Sequence, residues 1–354
     1  MAKRVPALDG LRGVAILLVL LTHVRALSDD NPVDHWLNVA FIAGYSGVDL
    51  FFVLSGFLIT GVLLDAKHGG EQPYYRTFYI RRALRILPLY YGVVAAMVIF
   101  DIGGTRRVQW WYWLYLANLG PMLARPWAGP AHFWSLAIEE QFYLVWPFIV
   151  LWLSERRFLQ LCVVGAVVAF VSRAALAAAN VDALWIQYMP LTRMDTLLAG
   201  AALAVLVRRP GGLGAYVPHA KRWGPPAVIV FGALYLAHEG FGRWPGAFYT
   251  VGYSAAVVMY ASALVLAVAG PIAKLLSAPV LRFFGKYSYG MYVYHVIMLA
   301  HMQPLFAVAR RIPRIGGSAV PGDAFFVVCA MPLIVAIAFA SWHLYEQRFL
   351  ALRV

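Results

Sequence analysis

Apolar runs of about twenty residues recur along the whole chain, separated by short polar or glycine- and proline-rich breaks. A bilayer core of ~30 Å takes ~20 helical residues to cross. The runs therefore predict spanning helices over 9–27, 44–64, 78–100, 132–153, 158–178, 191–207, 225–239, 247–269, 285–307 and 324–346. The aromatic stretch QWWYWLYLANLGPM (109–122) fits either an eleventh crossing or a segment lying in the interface. Charge decides between them. If the stretch stays in the interface, nineteen of the 29 Lys and Arg fall on one side, together with both termini. If it crosses, that asymmetry disappears. The excess of basic residues on cytoplasmic loops favours ten crossings with both termini in the cytoplasm. The expected fold is an all-α polytopic bundle of about ten transmembrane helices plus an interfacial aromatic segment.

Composition agrees. Of 354 residues, 62% are hydrophobic and 13% charged, with a mean hydropathy of +0.71. Soluble domains run at roughly 45–50% apolar and about 25% charged. This is the composition of an integral membrane protein, read as one membrane-embedded domain over 1–354 with no appended soluble domain. The net charge of +13 sits between and at the ends of apolar runs, so membrane topology explains it without a nucleic-acid partner. Lipid is the implied surrounding partner. Cys162 and Cys329 lie inside apolar runs and read as free packing thiols. Residues 1–28 mimic a secretion signal, with Lys3 and Arg4, an apolar core, then Ala26 and Ser28. Arg12 and His23 inside that core argue against its being discarded.

Charged groups within spans are expensive and mark a cavity or a function unless they snorkel to the interface. In LDGLRGVAILLVLLTHVR (8–25), Arg12 and His23 are eleven residues apart, about 20° past three full helical turns and roughly 16 Å along the axis. One stripe thus carries a cation near one surface and an imidazole toward the other. In GYSGVDLFFVLSGFLITG (44–61), Gly44, Gly47 and Gly56 permit close helix contact. Asp49 there either snorkels outward or meets His23 and orients its ring. Arg81, Arg82 and Arg85 open the third span. Arg81 reads as an anchor, whereas Arg82 and Arg85 share a face suited to phosphate. Glu139 and Glu140 point ~100° apart, so one is expected to face a cavity and the other an arginine such as Arg173 or Arg193. Arg193 and Asp195 are read as a pair at a helix start. The tyrosine-rich GKYSYGMYVYHVIM (285–298) puts Tyr292 and His295 in a pocket wall, and His343 and Glu346 read as interfacial. No metal-ligand spacing, phosphate loop or serine elbow appears, so no metal is expected.

These motifs together resemble the acyltransferase family 3 of membrane proteins, which O-acetylate bacterial surface glycans, Nod factors and macrolides. The resemblance rests on LDGLRG with its Arg12-to-His23 spacing, GVDLFFVLSGFLI, RRALRILPLYY, FWSLAIEEQFYLVWP and YSYGMYVYH, in that order over most of the chain. It implies transfer of an acyl group, usually acetyl from acetyl-CoA, to a hydroxyl, in the bacterial inner membrane. His23 matches the family's catalytic histidine, and Arg12 the arginine of the same motif. Arg82 and Arg85 match an element serving acyl-CoA, and Glu139 an acidic position of its block.

Together these give a direct-transfer mechanism. His23 acts as general base on the acceptor hydroxyl, and Asp49 or Glu139 orients it. Arg12, Arg82, Arg85, Glu140, Tyr292 and His295 bind substrate. An acyl-histidine relay is the variant. The acceptor is expected to be a glycan, a glycolipid or a secreted small molecule such as a macrolide. A sugar or lipid transporter is the rival from another class, with the intramembrane charges as its pathway.

Overall fold

The structure is a computed structural model that describes residues 5–24, 31–70, 73–124, 127–238, 240 and 246–352. Lys3, Arg4, Arg25, Ala26 and Ser28 lie outside these described residues. The described chain is helical, with one isolated bridge between Ile315 and Ser318. Ten long helices correspond one for one to the ten apolar runs: α1 (Pro6–His23), α2 (Gly47–Gly69), α3 (Tyr74–Ile99), α4 (Phe133–Trp152), α5 (Glu155–Ala178), α6 (Pro190–Leu206), α7 (Val217–Ala237), α8 (Tyr253–Ala269), α9 (Pro279–His301) and α10 (Val320–Ser341). Proline opens α1, α6 and α9, where its missing N–H would have had no intrahelical partner.

By length and apolarity, seven helical stretches are able to cross a membrane, and eight if the bent pair Pro279–His301 and Gln303–Ala309 counts as one span. The coarse expectation of an all-α, multiply spanning protein holds, while the count of ten is not reached on these grounds. Glu139, Glu140 and Gln141 dilute the apolarity of α4. Lys221, Arg222 and two prolines dilute that of α7. The aromatic stretch does not form an eleventh long helix. It breaks into short helices, Gln109–Trp113 and Gly120–Leu123, in which Tyr112 is buried and Trp110 exposed. A short helix over Pro32–Ile42, capped by the Asn31 side chain on the Val33 N–H, precedes α2.

Two parallel helix pairs organise the bundle. Between α1 and α9, Gly13 faces the Leu281 carbonyl and Gly285 faces Asp9, so that a Cβ on either glycine would overlap backbone. Gly56 of α2 and Gly200 of α6 interlock in the same way against Leu197 and Val53. Small residues let backbones approach where lipid supplies no hydrophobic drive for helix association. The contacts climb in step along both pairs, from Gly10–Leu276 to Gly13–Leu281 in the first. In the second they run from Asp49–Arg193 to Asp65–Arg208.

Candidate active site

Where α1, α2, α3, α4 and α9 converge, they line a cavity of about 90 Å³. Arg12, Arg82, Arg85, Glu139, Glu140 and Tyr292 all line it, six of the nine residues expected from sequence. Ser55 donates a hydrogen bond to Glu139 and accepts one from the Tyr143 hydroxyl at 3.1 Å. The Arg82 guanidinium lies over the Tyr143 ring, 4.2 Å from its centroid. Arg82 Nε and Glu140 Oε1 are buried with no hydrogen-bond partner. Both glutamates face the same cavity, which corrects the expectation that only one would. The cavity wraps around α4 from Ser55 on one side to Arg82 on the other, so a separation of ~100° fits within it. Arg173 and Arg193 are engaged elsewhere, as described below.

A second, open cavity of about 1040 Å³ forms a vestibule at one end of the bundle. Arg12 and Arg85 line both spaces, so the two meet at these guanidiniums. Arg208, Arg282 and Lys286 also line the vestibule, against the carboxylates Asp9 and Asp65. Asp9 lies 3.7 Å from Arg12, and Asp65 lies 2.5 Å from Arg208. Such a volume stands at the upper end of the ~300–1,000 Å³ typical of ligand sites.

The other end of the small cavity is closed by a hydrogen-bonded pair, Ser135 and Tyr292. Both hydroxyls also reach the His132 carbonyl, Tyr292 at 3.0 Å and Ser135 at 3.4 Å, so either can donate within the pair. One helical turn beyond this pair stand three imidazoles in a row. The His23 and His295 centroids are 4.8 Å apart, and those of His295 and His132 are 4.7 Å apart, all edge to face. His23 Nδ1 contacts the Val19 carbonyl at 2.8 Å. A carbonyl only accepts, so Nδ1 carries the proton and Nε2 is the basic atom. His295 is built the same way, with Nδ1 donating to the Tyr292 carbonyl at 2.6 Å and Nε2 buried without a partner. Both ring nitrogens of His132 are buried and unpartnered. His132 was missed in the sequence, although it precedes Ser135 by three residues and Glu139 by seven, which places all three on one helical stripe.

Asp49 does not orient His23. Its carboxylate is buried against the Arg193 guanidinium at 2.5 Å, and a backbone carbonyl takes the imidazole N–H instead. A carboxylate inside a bundle needs a countercharge, and an arginine on the parallel helix supplies it. Glu139 likewise serves the cavity, bonded to Ser55. Arg193 and Asp195 do not pair with each other. Asp195 holds Arg173 at 2.7 Å, and Arg173 also bonds the Thr192 carbonyl and Ser254. Glu346, read as interfacial, is buried and accepts from Ser341 at 3.1 Å, whereas His343 is exposed with its Nε2 3.2 Å from the Tyr287 hydroxyl. Among the described residues no group of three or more His, Cys, Asp or Glu is arranged to hold a metal, the three histidines included.

A family profile described as an acyltransferase domain matches residues 5–343. The chain belongs to the acyltransferase 3 family. Among curated proteins it is 27% identical to the peptidoglycan O-acetyltransferase OatA of Listeria monocytogenes, over 93% of this chain and 54% of that one. It is 28% identical to the putative peptidoglycan O-acetyltransferase YrhL of Bacillus subtilis, over 98% and 55%. A putative O-acetyltransferase of Staphylococcus aureus is 28% identical, over 86% and 52%. The chain thus spans about half the length of these curated relatives. No solved structure matches it.

Proposed function

We propose that this acyltransferase 3 protein is an O-acetyltransferase of the bacterial inner membrane. In this reading it moves an acetyl group from cytoplasmic acetyl-CoA to a hydroxyl of a cell-envelope glycan, with His23 as general base. The observation that carries the reading is the meeting of the open vestibule and the inner cavity at Arg12 and Arg85, with the imidazole row beyond the inner end. The helix ends around the vestibule are those that charge asymmetry assigns to the cytoplasm, which supports placing both termini there.

The phosphates of CoA suit the guanidiniums at the junction, whose forks match phosphate oxygens. The pantetheine arm, ~15–20 Å long at ordinary bond lengths, matches the ~16 Å rise from Arg12 to His23. Rotation of the Tyr292 side chain away from Ser135 opens the way for the thioester. The acceptor oxygen attacks the thioester carbon while its proton passes to His23 Nε2. The carbon–sulfur bond breaks, and the CoA thiolate takes the proton back from the imidazolium. His295 Nε2 beside His23 also offers a second base, which the acyl-histidine variant requires for its deacylation step. Relatives named for peptidoglycan O-acetylation favour an envelope glycan over a macrolide.

The test is thiol release from acetyl-CoA by the purified protein, with muramyl fragments, other glycans and macrolides as acceptors. Acceptor-dependent release should fall about 10²- to 10⁴-fold in His23→Ala. Retained turnover in that variant removes His23 from the chemistry. Failure of the wild type to bind acetyl-CoA removes the donor and brings the transporter reading forward.

A further inference from the structure

The vestibule is larger and more cationic than the diphosphate bridge of a CoA molecule needs. Arg12 and Arg85 sit at its inner end, where a pantetheine arm bound for His23 must leave its diphosphate. That leaves the rest of the space for whatever the diphosphate carries. Asp9 and Asp65 offset Arg12 and Arg208. Arg282 and Lys286 have no carboxylate within ion-pair distance among the described residues. They lie four residues apart on one face of α9, both exposed and both on the vestibule wall. Beside them the wall is aromatic. Phe283 and Trp342 line it, and Lys286 Nζ stands 5.7 Å from the Trp342 ring centroid and 4.9 Å from that of Tyr287. A cation pair set against flat aromatic surface is a recognition surface for a phosphorylated purine nucleoside: stacking for the base, charge for the phosphate.

We propose that Arg282 and Lys286, with Trp342 and Phe283, form a subsite for the adenosine 3′-phosphate end of the donor. This rests on the acyl-CoA reading above and narrows the donor class. The enzyme takes 3′-phosphorylated adenine nucleotide thioesters and discriminates against phosphopantetheine thioesters carried on a protein, which lack both the adenine and the 3′-phosphate.

The experiment compares acetyl-CoA with acetyl-dephospho-CoA, which lacks only the 3′-phosphate, on wild type, Lys286→Gln and Arg282→Ala. Losing a charge-assisted phosphate contact corresponds to about tenfold or more. Wild type should therefore show a KM at least about tenfold higher for the dephospho donor. In the double variant that ratio should collapse to about one, and adenosine 3′,5′-bisphosphate should lose its competitive inhibition. Lys286→Gln alone, an exposed change, should lower the ratio part-way and keeps the test open if the double variant misfolds. The inference is overturned if wild type does not discriminate, or if the variants weaken both donors equally, as membrane anchors would. Turnover of acetyl-CoA without discrimination leaves the donor reading standing. No thiol release from either donor overturns both.

Discussion

Two clusters of polar side chains are buried in this bundle, and they are built on opposite terms. In the first, around the start of α6, Asp49 answers Arg193, and Asp195 answers Arg173, which also reaches Thr192 and Ser254. Its carboxylates are matched by guanidiniums. In the second, on α3, α4 and α9, His132 has two unpartnered ring nitrogens, and His295, Glu140 and Arg82 have one unpartnered atom each. A buried polar atom left unpaired costs about 1–3 kcal/mol. A protein keeps such atoms where something else completes them. Arg173 and Arg193 also leave their Nε atoms unpartnered, so what separates the clusters is charge. The first pairs each carboxylate with a guanidinium and ties four helices together, while the second leaves imidazole nitrogens unpaired and a carboxylate oxygen facing a cavity.

The contrast fails most visibly if the first cluster proves dispensable. Arg193→Met should lower unfolding stability in detergent by about 3–5 kcal/mol, because it strands Asp49 without its countercharge. Adding Asp49→Leu should restore much of that. If Arg193→Met unfolds like wild type, the architectural reading is wrong. Next in size is Arg85→Ala, which should raise the apparent KM for acetyl-CoA about tenfold at nearly constant kcat. An unchanged KM takes Arg85 out of the donor path. His132→Phe should sharpen the comparison from the other side. With two unpaired nitrogens removed, stability should hold or rise by up to about 1 kcal/mol, while kcat falls several-fold. A loss of stability of the Arg193 kind would place His132 in the architecture instead.

The sequence made the long helices legible because a bilayer asks each crossing for about twenty apolar residues, and even the helices too polar to meet that test keep most of such a run. It also made the cavity lining legible, since Arg12, Arg82, Arg85, Glu139, Glu140 and Tyr292 are conspicuous against apolar neighbours. What it could not supply was the partner helix. Asp49 was equally free to meet His23 or Arg193, because periodicity fixes a face and not the neighbour that face meets. The supposed pairing of Arg193 with Asp195 was decidable, since residues two apart on a helix do not face each other. His132 stayed hidden because it lies at the helix margin, where a histidine draws no notice as an interfacial residue.

The glycine contact between α1 and α9 bears on more than packing. Gly13 and Gly285 mark the place where the two backbones touch, and His23 and His295 each follow ten residues later on helices running the same way. The meeting of the two imidazoles is therefore a matter of equal counting from a shared origin. Inserting one residue between positions 14 and 22 would turn His23 by about 100° and carry it ~1.5 Å outward. A matching insertion in α9 would restore the height but not the facing. This stretch should thus tolerate exchange of its apolar side chains far better than any change in its length.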